Sequence, residues 1–353
     1  MKTIILSGGG TAGHITPSLA LVPALEQYFD KIVYIGSGSD VEQKLLSQYK
    51  DVEYHIIPTA KLIRGLSLKN LLIPFALLKA KRRARALLKV LQPDVIFNKG
   101  GYAGLPIALA GAQLGIPIIA HESDLTLGLA HKLVKKKYQY ICTSFDKTAQ
   151  KLNNSVHTGT PIRRELISGN GDLIRQKYKL NKKPVLLVMG GSQGAQQINA
   201  LIDENIDQLT QKYQIIHIRG RGKLNHSIHN NAYHQMEFCQ NMGDVYAVSN
   251  LCITRGGSNS LHELLYNHIP MLIIPLQHNS RGDQIANAKY FERKNWAMGL
   301  YDKKIDNNIF LSKLEQLKQK SNTMHNATKA IDNDKVINKI VGLIVKTANK
   351  KRG

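Results

Sequence analysis

Hydrophobic residues along this chain come in short, nearly unbroken runs separated by longer stretches with helical spacing. In the first half, 3–6, 31–35, 53–57, 94–97, 117–120 and 138–143 read as strands, and 17–28, 40–50, 70–91 and 103–114 as the helices between them. Runs without polar alternation suit strands covered on both faces, as in a parallel sheet. Each strand-to-strand crossover should then be right-handed. The pattern breaks over 155–184, where Thr158-Gly159-Thr160-Pro161, Ser168-Gly169-Asn170-Gly171-Asp172 and Asn181-Lys182-Lys183-Pro184 are turn formers. It then restarts with strands expected at 185–189, 215–218, 235–238, 250–254 and 271–275, and the tail from about 327 to 348 reads as a helix. The expected fold class is α/β. The predicted division is 1–160, a link at 161–184, 185–326, and a helix with a basic tail at 327–353 that packs back on the first domain.

Glycine-rich stretches follow several of these strands. They are Gly8-Gly9-Gly10-Thr11-Ala12-Gly13-His14, Asn98-Lys99-Gly100-Gly101-Tyr102-Ala103-Gly104, Gly190-Gly191-Ser192-Gln193-Gly194-Ala195 and Arg255-Gly256-Gly257-Ser258-Asn259-Ser260. Loops after parallel strands gather on one sheet edge, where open α/β proteins take ligands. N–H groups at the helix starts that follow suit a phosphate or a sugar hydroxyl. The first loop lacks the G-x-G-x-x-G spacing, so it does not specify a dinucleotide. His14, Lys99, Tyr102, His121, Glu122 and Asp124 are expected to converge.

The ordinary pKa of a histidine suits general-base work near neutral pH, which makes His14 one candidate, and Glu122 is the other. Asp124 serves this same site or caps the segment 125–134. In the second half, the 190–195 loop suits a diphosphate. Glu263, early in a helix, suits two adjacent hydroxyls of a ribose, or only the positive helix end. The loop 275–287 offers Gln277, His278, Asn279, Arg281, Gly282, Asp283 and Gln284, whose amides suit sugar hydroxyls.

Composition narrows the partners. With 48 basic and 25 acidic residues the formal charge is +23, which favours anionic ligands or surfaces. Leu72, Phe75, Lys79, Lys81, Arg82, Arg83 and Arg85 lie in an apolar and basic segment at 66–89. It suits an anionic bilayer surface, or a helix covering the sheet. No aromatic residues interleave with these charges, which disfavours nucleic acid. Cys142, Cys239 and Cys252 are too scattered for a disulfide framework, and no His, Cys or acidic cluster has zinc spacing. Asp332-Asn333-Asp334 reads as a helix start. The first strand meets its glycine loop within seven residues, leaving no room for a signal peptide, and no 18-residue apolar run spans a bilayer.

Taken in order, these motifs resemble the MurG family, bacterial transferases that complete the lipid-linked peptidoglycan precursor. The stretch 9–14 resembles the family's GGTGGH loop, and Gly100-Gly101-Tyr102 with Gly104 its second glycine loop. His121-Glu122 resembles its histidine–glutamate pair. Gly159-Thr160-Pro161-Ile162-Arg163 resembles its interdomain G-x-P-x-R, and 190–195 its third loop. The resemblance implies two Rossmann-like domains facing a cleft, the GT-B glycosyltransferase fold. It implies inverting transfer of N-acetylglucosamine from UDP-N-acetylglucosamine to lipid I, without metal or cofactor. An alternative is a UDP-N-acetylglucosamine 2-epimerase or another sugar-nucleotide enzyme of that fold.

The implied donor residues are Arg163, Gly191, Ser192, Gln193, Gly194, Phe238, Cys239, Glu263, Asp283 and Gln284. The implied acceptor residues are Thr11, Ala12, Gly13, His14, Gly101, Tyr102 and Asp124. The implied setting is the cytoplasmic face of the cell membrane, with an anionic phospholipid surface and other cell-wall synthesis proteins as partners. Ala12 stands where the family has glycine, Ser123-Asp124 where it has Gln-Asn, His131 where it commonly has Asn, and Gly282-Asp283 in place of its RQ-type lead-in. The HESD and RGDQ forms are similar to a Gram-positive branch.

Overall fold

The computed structural model describes residues 1–59, 72–190, 195–277, 283–302 and 304–352. The chain forms two compact units, Met1–Arg163 with Asn333–Gly353, and Arg164–Asp332. The first unit contains β1 (Thr3–Ser7), β2 (Lys31–Gly36), β3 (Val52–Ile56), β4 (Val95–Asn98), β5 (Ile118–Glu122), β6 (Tyr140–Thr143) and β7 (Ser155–His157). They form one parallel sheet in the order β3-β2-β1-β4-β5-β6-β7. The order reverses between β1 and β4, a switch point of the kind that opens a ligand crevice. The sheet core of Ile5, Val33, Ile96, Ile118 and Ile141 packs with Ala80, Ala84 and Leu88 on the helix Ile73–Leu91, and with Ile107 and Ala108 on Gly101–Gln113.

The second unit repeats the plan with β8 (Val185–Met189), β9 (Gln214–Ile218), β10 (Tyr233–Met236), β11 (Leu251–Thr254), β12 (Met271–Ile273) and β13 (Ala297–Gly299). Its parallel order is β10-β9-β8-β11-β12-β13, with the switch point between β8 and β11. Its core, which includes Leu186, Val188, Ile198, Ile215, Ile253, Phe310 and Leu314, is its own.

The structure departs from the sequence pattern in identifiable places. The helix expected at 17–28 is two, Ala12–Leu19 and Val22–Leu25. The first opens inside the glycine-rich stretch, with Thr11 extended at its N-cap position and no side-chain cap hydrogen bond. Ala12 is therefore a helical residue, and a Cβ is acceptable there. β7 and β13, three residues each, lack the apolar run that signals a strand. A helix not expected from the pattern, Asn307–Thr328 in the second unit, precedes the expected tail helix, which runs Asn333–Arg352 in the first. Asn333 anchors the latter: Ile162 N–H donates to its Oδ1 (2.9 Å) and its Nδ2 donates to Ile162 O (2.8 Å). Among the described residues no helix is long and apolar enough to cross a membrane.

Candidate functional site

In the first unit, two glycine loops follow β1 and β4 and so flank the switch point. Buried Asn98 shapes the second. Its Oδ1 accepts from Gly100 N–H, and its Nδ2 donates to Ser7 Oγ and Gly104 O, all at 2.8 Å. Gly10 and Gly101 both have left-handed backbones, with φ of +91° and +73°. A Cβ on Gly10 would run into the Tyr102 ring, and one on Gly101 would come within 2.8 Å of Gly9 O. Side-chain atoms at either position would force the loops apart, which is the reason for glycine here. Half-buried His14 sits on the first turn of Ala12–Leu19 beside Gly101. Its Nδ1 is 2.9 Å from Thr11 Oγ1. His14, Thr11, Gly101 and Tyr102 are thereby brought together.

The loop after β5 is held differently. Glu122 is buried, and its two oxygens accept from the N–H groups of Asp124 (3.1 Å) and Gly128 (2.7 Å). The helix expected to begin at 125 runs Leu129–Val134 with Gly128 at its cap position, so Asp124 does not cap it. Lys99 is only 3% exposed. Its Nζ lies 2.7 Å from His121 Nδ1 and 2.6 Å from Ser123 Oγ. His121 Nε2 lies 2.9 Å from Gly159 O. An Nε2–H donating to that carbonyl leaves Nδ1 to accept from the ammonium. Burial lowers the Lys99 pKa to about 8, against the opposing pull of Glu122 and Asp124. His131 lies beneath Gly100, and burial followed by Lys99 lowers its pKa to about 4.

Glu42 is a site-shaping residue with no functional signal in the sequence. It is buried, and donors from Gly10, Ser37, Gly38 and Tyr54 converge on its carboxylate. In sequence, Ser39-Asp40-Val41-Glu42 reads as a capping box. The Ser39 side chain does accept from Glu42 N–H.

In the second unit, Gly191, Ser192, Gln193 and Gly194 lie outside the described residues, as do 278–282 of the polar loop. The helix Gln196–Glu204 leads away from the first of these loops. The loop after β11 meets the start of the helix Asp283–Arg293. A Cβ on Gly256 would run into Gln284 O, and Asn287 Nδ2 donates to Gly256 O (3.1 Å). Gln284 Oε1 accepts from Leu276 N–H (2.9 Å). Glu263, half-buried on Ser258–Tyr266, accepts from Tyr246 O–H at 2.7 Å. Burial followed by Glu263 pushes that phenol well above its ordinary pKa. Tyr246 reads in sequence as an ordinary core residue, so its partnership with Glu263 has no local signature. Phe238, 69% exposed, and half-buried Cys239 follow β10. Arg163 closes the first unit's main stretch, whereas the other implied donor residues belong to the second.

The helix Ile73–Leu91 combines the readings weighed for it. Ala80, Ala84 and Leu88 face the core, while Leu72 (67%) and Phe75 (73%) are exposed with Lys79, Arg82, Arg83 and Arg85; Lys81 is half-buried. Leu129 and Leu133 are also exposed, beside Lys132. The part of the patch at 66–71 lies outside the described residues. Among the described residues, no group of three or more His, Cys, Asp or Glu could hold a metal ion.

The chain matches the Glycosyltransferase family 28 N-terminal domain over residues 4–143 and the C-terminal domain over 185–341. A Clostridium botulinum (strain 657 / Type Ba4) UDP-N-acetylglucosamine--N-acetylmuramyl-(pentapeptide) pyrophosphoryl-undecaprenol N-acetylglucosamine transferase is 39% identical, covering 98% of this chain and 99% of its own. A Bacillus thuringiensis (strain Al Hakam) transferase of the same name, numbered 3, is 37% identical over 97% and 98%. Among solved structures, Acinetobacter baumannii MurG superposes with a TM-score of 0.76 at 22% identity, covering 98% of this chain and 100% of that one. A UDP-GlcNAc 2-epimerase from Neisseria meningitidis gives 0.68 at 14% identity, covering 99% and 100%. These two likenesses speak to the fold, two Rossmann-like α/β domains of the GT-B type. The full-length identity decides between them: the chain belongs to the MurG family of UDP-N-acetylglucosamine--N-acetylmuramyl-(pentapeptide) pyrophosphoryl-undecaprenol N-acetylglucosamine transferases.

Proposed function

We propose that this protein transfers N-acetylglucosamine from UDP-N-acetylglucosamine to the 4-hydroxyl of undecaprenyl-diphospho-N-acetylmuramoyl-pentapeptide, lipid I. The products are the β-1,4-linked lipid II and UDP. The first unit takes the acceptor and the second the donor. The observation that carries this reading is the position of His14, at a switch point and against the second glycine loop. The acceptor oxygen attacks the anomeric carbon from the face opposite UDP, so the α linkage inverts, and a base takes the hydroxyl proton. In the tautomer whose Nδ1–H donates to Thr11 Oγ1, Nε2 is the basic nitrogen of His14. Both Glu122 oxygens accept from their own loop, so Glu122 holds the acceptor loop in this reading.

Glu263 takes the ribose hydroxyls while Tyr246 steadies its carboxylate. Gln284 and Asp283 serve the amino sugar, and Arg163 and the backbone at Phe238 and Cys239 the uracil. Ser192 and Gln193 serve the diphosphate, whose growing charge the N-terminus of Gln196–Glu204 stabilises. Leu72, Phe75 and the adjoining Lys79, Lys81, Arg82, Arg83 and Arg85 dock the enzyme on the anionic cytoplasmic face of the membrane. The net charge of +23 supports this docking.

The test is transfer of labelled N-acetylglucosamine to lipid I, with and without EDTA, by wild type, His14→Ala and Glu122→Gln. Transfer that survives EDTA is expected. His14→Ala should lower kcat by about a hundredfold or more. Acceptor-independent release of UDP with epimerised sugar would overturn the assignment. Full activity of His14→Ala would remove His14 as the base.

A further inference from the structure

Glu42 sits at 0% exposure on the helix Asp40–Leu46, beyond β2, and takes no part in the transfer chemistry above. Its Oε1 accepts from Gly10 N–H (3.2 Å) and Ser37 O–H (2.8 Å). Its Oε2 accepts from Gly38 N–H and Tyr54 O–H, both at 2.8 Å. Two oxygens thus take four donors, which an ionised carboxylate accepts in full and a carboxamide, with one accepting oxygen, does not. The surrounding chain is cut to fit it. A Cβ on Gly9 would run into Oε1, and one on Gly36 into Oε2.

Two consequences reach the first loop. The Gly10 N–H, in the opening glycine loop, is committed to Glu42. The Ser37 hydroxyl, having given its proton to Glu42, is left to accept from Tyr102 O–H at 3.3 Å. The Tyr102 ring in turn lies over Gly10. One carboxylate from outside the switch-point loops therefore sets both the Gly10 peptide and the Tyr102 ring.

We propose that Glu42 is a positioning residue for the lipid acceptor, fixing the opening glycine loop directly and Tyr102 through Ser37. This rests on the reading that the first unit binds lipid I. It touches neither substrate, so its effect should fall on one substrate only. A carboxamide must turn its NH2 toward two existing donors, which displaces either the Gly10 peptide or the Gly38 turn.

The experiment measures KM for lipid I and for UDP-N-acetylglucosamine separately, using full-length wild type, Glu42→Gln, Glu42→Asp and Ser37→Ala. Glu42→Gln should raise the lipid I KM by about tenfold or more and leave the donor KM within about twofold. Glu42→Asp, which keeps the charge, should fall between wild type and Glu42→Gln. Ser37→Ala should raise the lipid I KM about threefold, because it cuts only the Tyr102 arm. A merely structural role would lower the active fraction and leave both KM values alone. That result, or equal shifts in both, overturns the inference while wild type transfers normally. Should Glu42→Gln fail to fold, an unchanged lipid I KM in Ser37→Ala overturns the Tyr102 arm. A wild type that transfers nothing to lipid I instead removes the functional reading and the inference with it.

Discussion

Replacing Lys99 with methionine separates stability from function at the acceptor loop. Burial is the main cause of the lowered Lys99 pKa, from 10.5 to about 8. At about 1.4 kcal/mol per pKa unit, the protonated side chain opposes folding by about 3 kcal/mol at neutral pH. Methionine fills similar space without charge and removes that penalty. It also removes the Lys99 hydrogen bonds to His121 Nδ1 and Ser123 Oγ, at about 1–2 kcal/mol each. The effects offset, so Lys99→Met should unfold within about 1 kcal/mol of wild type at pH 7. Activity should nevertheless fall, because the loop after β5 loses its tie to the second glycine loop.

The pH dependence tests the reasoning more sharply. The folded pKa of Lys99 lies below the unfolded value, so above about pH 8 the unfolded chain holds the extra proton and stability rises with pH. From pH 7 to 9 wild type should gain about 1 kcal/mol relative to Lys99→Met. Urea unfolding of both proteins at both pH values reads this difference. A difference that stays flat would refute the buried-ammonium account. One that moves the other way would require a carboxylate partner strong enough to reverse the effect of burial.

Acid should weaken both units. Burial, with help from nearby Lys99 and Arg219, holds His131 near a pKa of about 4 and His217 near about 3. Each is neutral when folded and takes its proton more readily when unfolded, so stability is full above about pH 6.5 and declines toward the folded pKa. The loss should reach about 2 kcal/mol per histidine at pH 5. Thermal melts should show His131→Gln and His217→Gln losing less than wild type between pH 7 and 5, and equal losses would count against the assignment. Gly10→Ala, at φ +91° and under the Tyr102 ring, should lower stability by about 1–3 kcal/mol and raise the lipid I KM. Asp203→Ala strips buried Arg219 of a two-oxygen partner (2.5 and 2.8 Å) and should lower unfolding free energy by about 3 kcal/mol in urea titrations.

Which of these features sequence could reveal follows from how far each residue's partners lie along the chain. The strands of both sheets were readable because a two-face-buried strand is a local run of apolar residues, and the glycine loops because each directly follows such a run. β7 and β13 were not, since three residues give no pattern and their pairing depends on a neighbour strand already in place. The helix start at 332–334 was legible from its own residues, but its anchor was not. Asn333 starts a new helix by binding the backbone of Ile162, 171 residues earlier, and nothing beside Asn333 in sequence announces that bond.

The same distinction runs through the site. His14 and Thr11 are three residues apart and pair locally, although the helix start that brings them together lies earlier than the pattern suggests. Glu42 reaches Gly10 across 32 residues, Lys99 reaches Ser123 across 24, and Tyr246 reaches Glu263 across 17. Glu42 and Tyr246 look ordinary where they stand, a helix-start acid and a core tyrosine, whereas Lys99 was already expected at this sheet edge from its place just after a strand. The sheet makes them functional candidates by lining up loops on one edge, β2 beside β1 and β4 beside β5. In that arrangement a buried charge is stable only where the neighbouring loop supplies its hydrogen bonds. Four donors around Glu42 and two acceptors around Lys99 therefore mark loops whose relative position is fixed by charge. Removing either charge should disturb the loops more than the fold, which is the behaviour expected of groups that hold a substrate's surroundings in place.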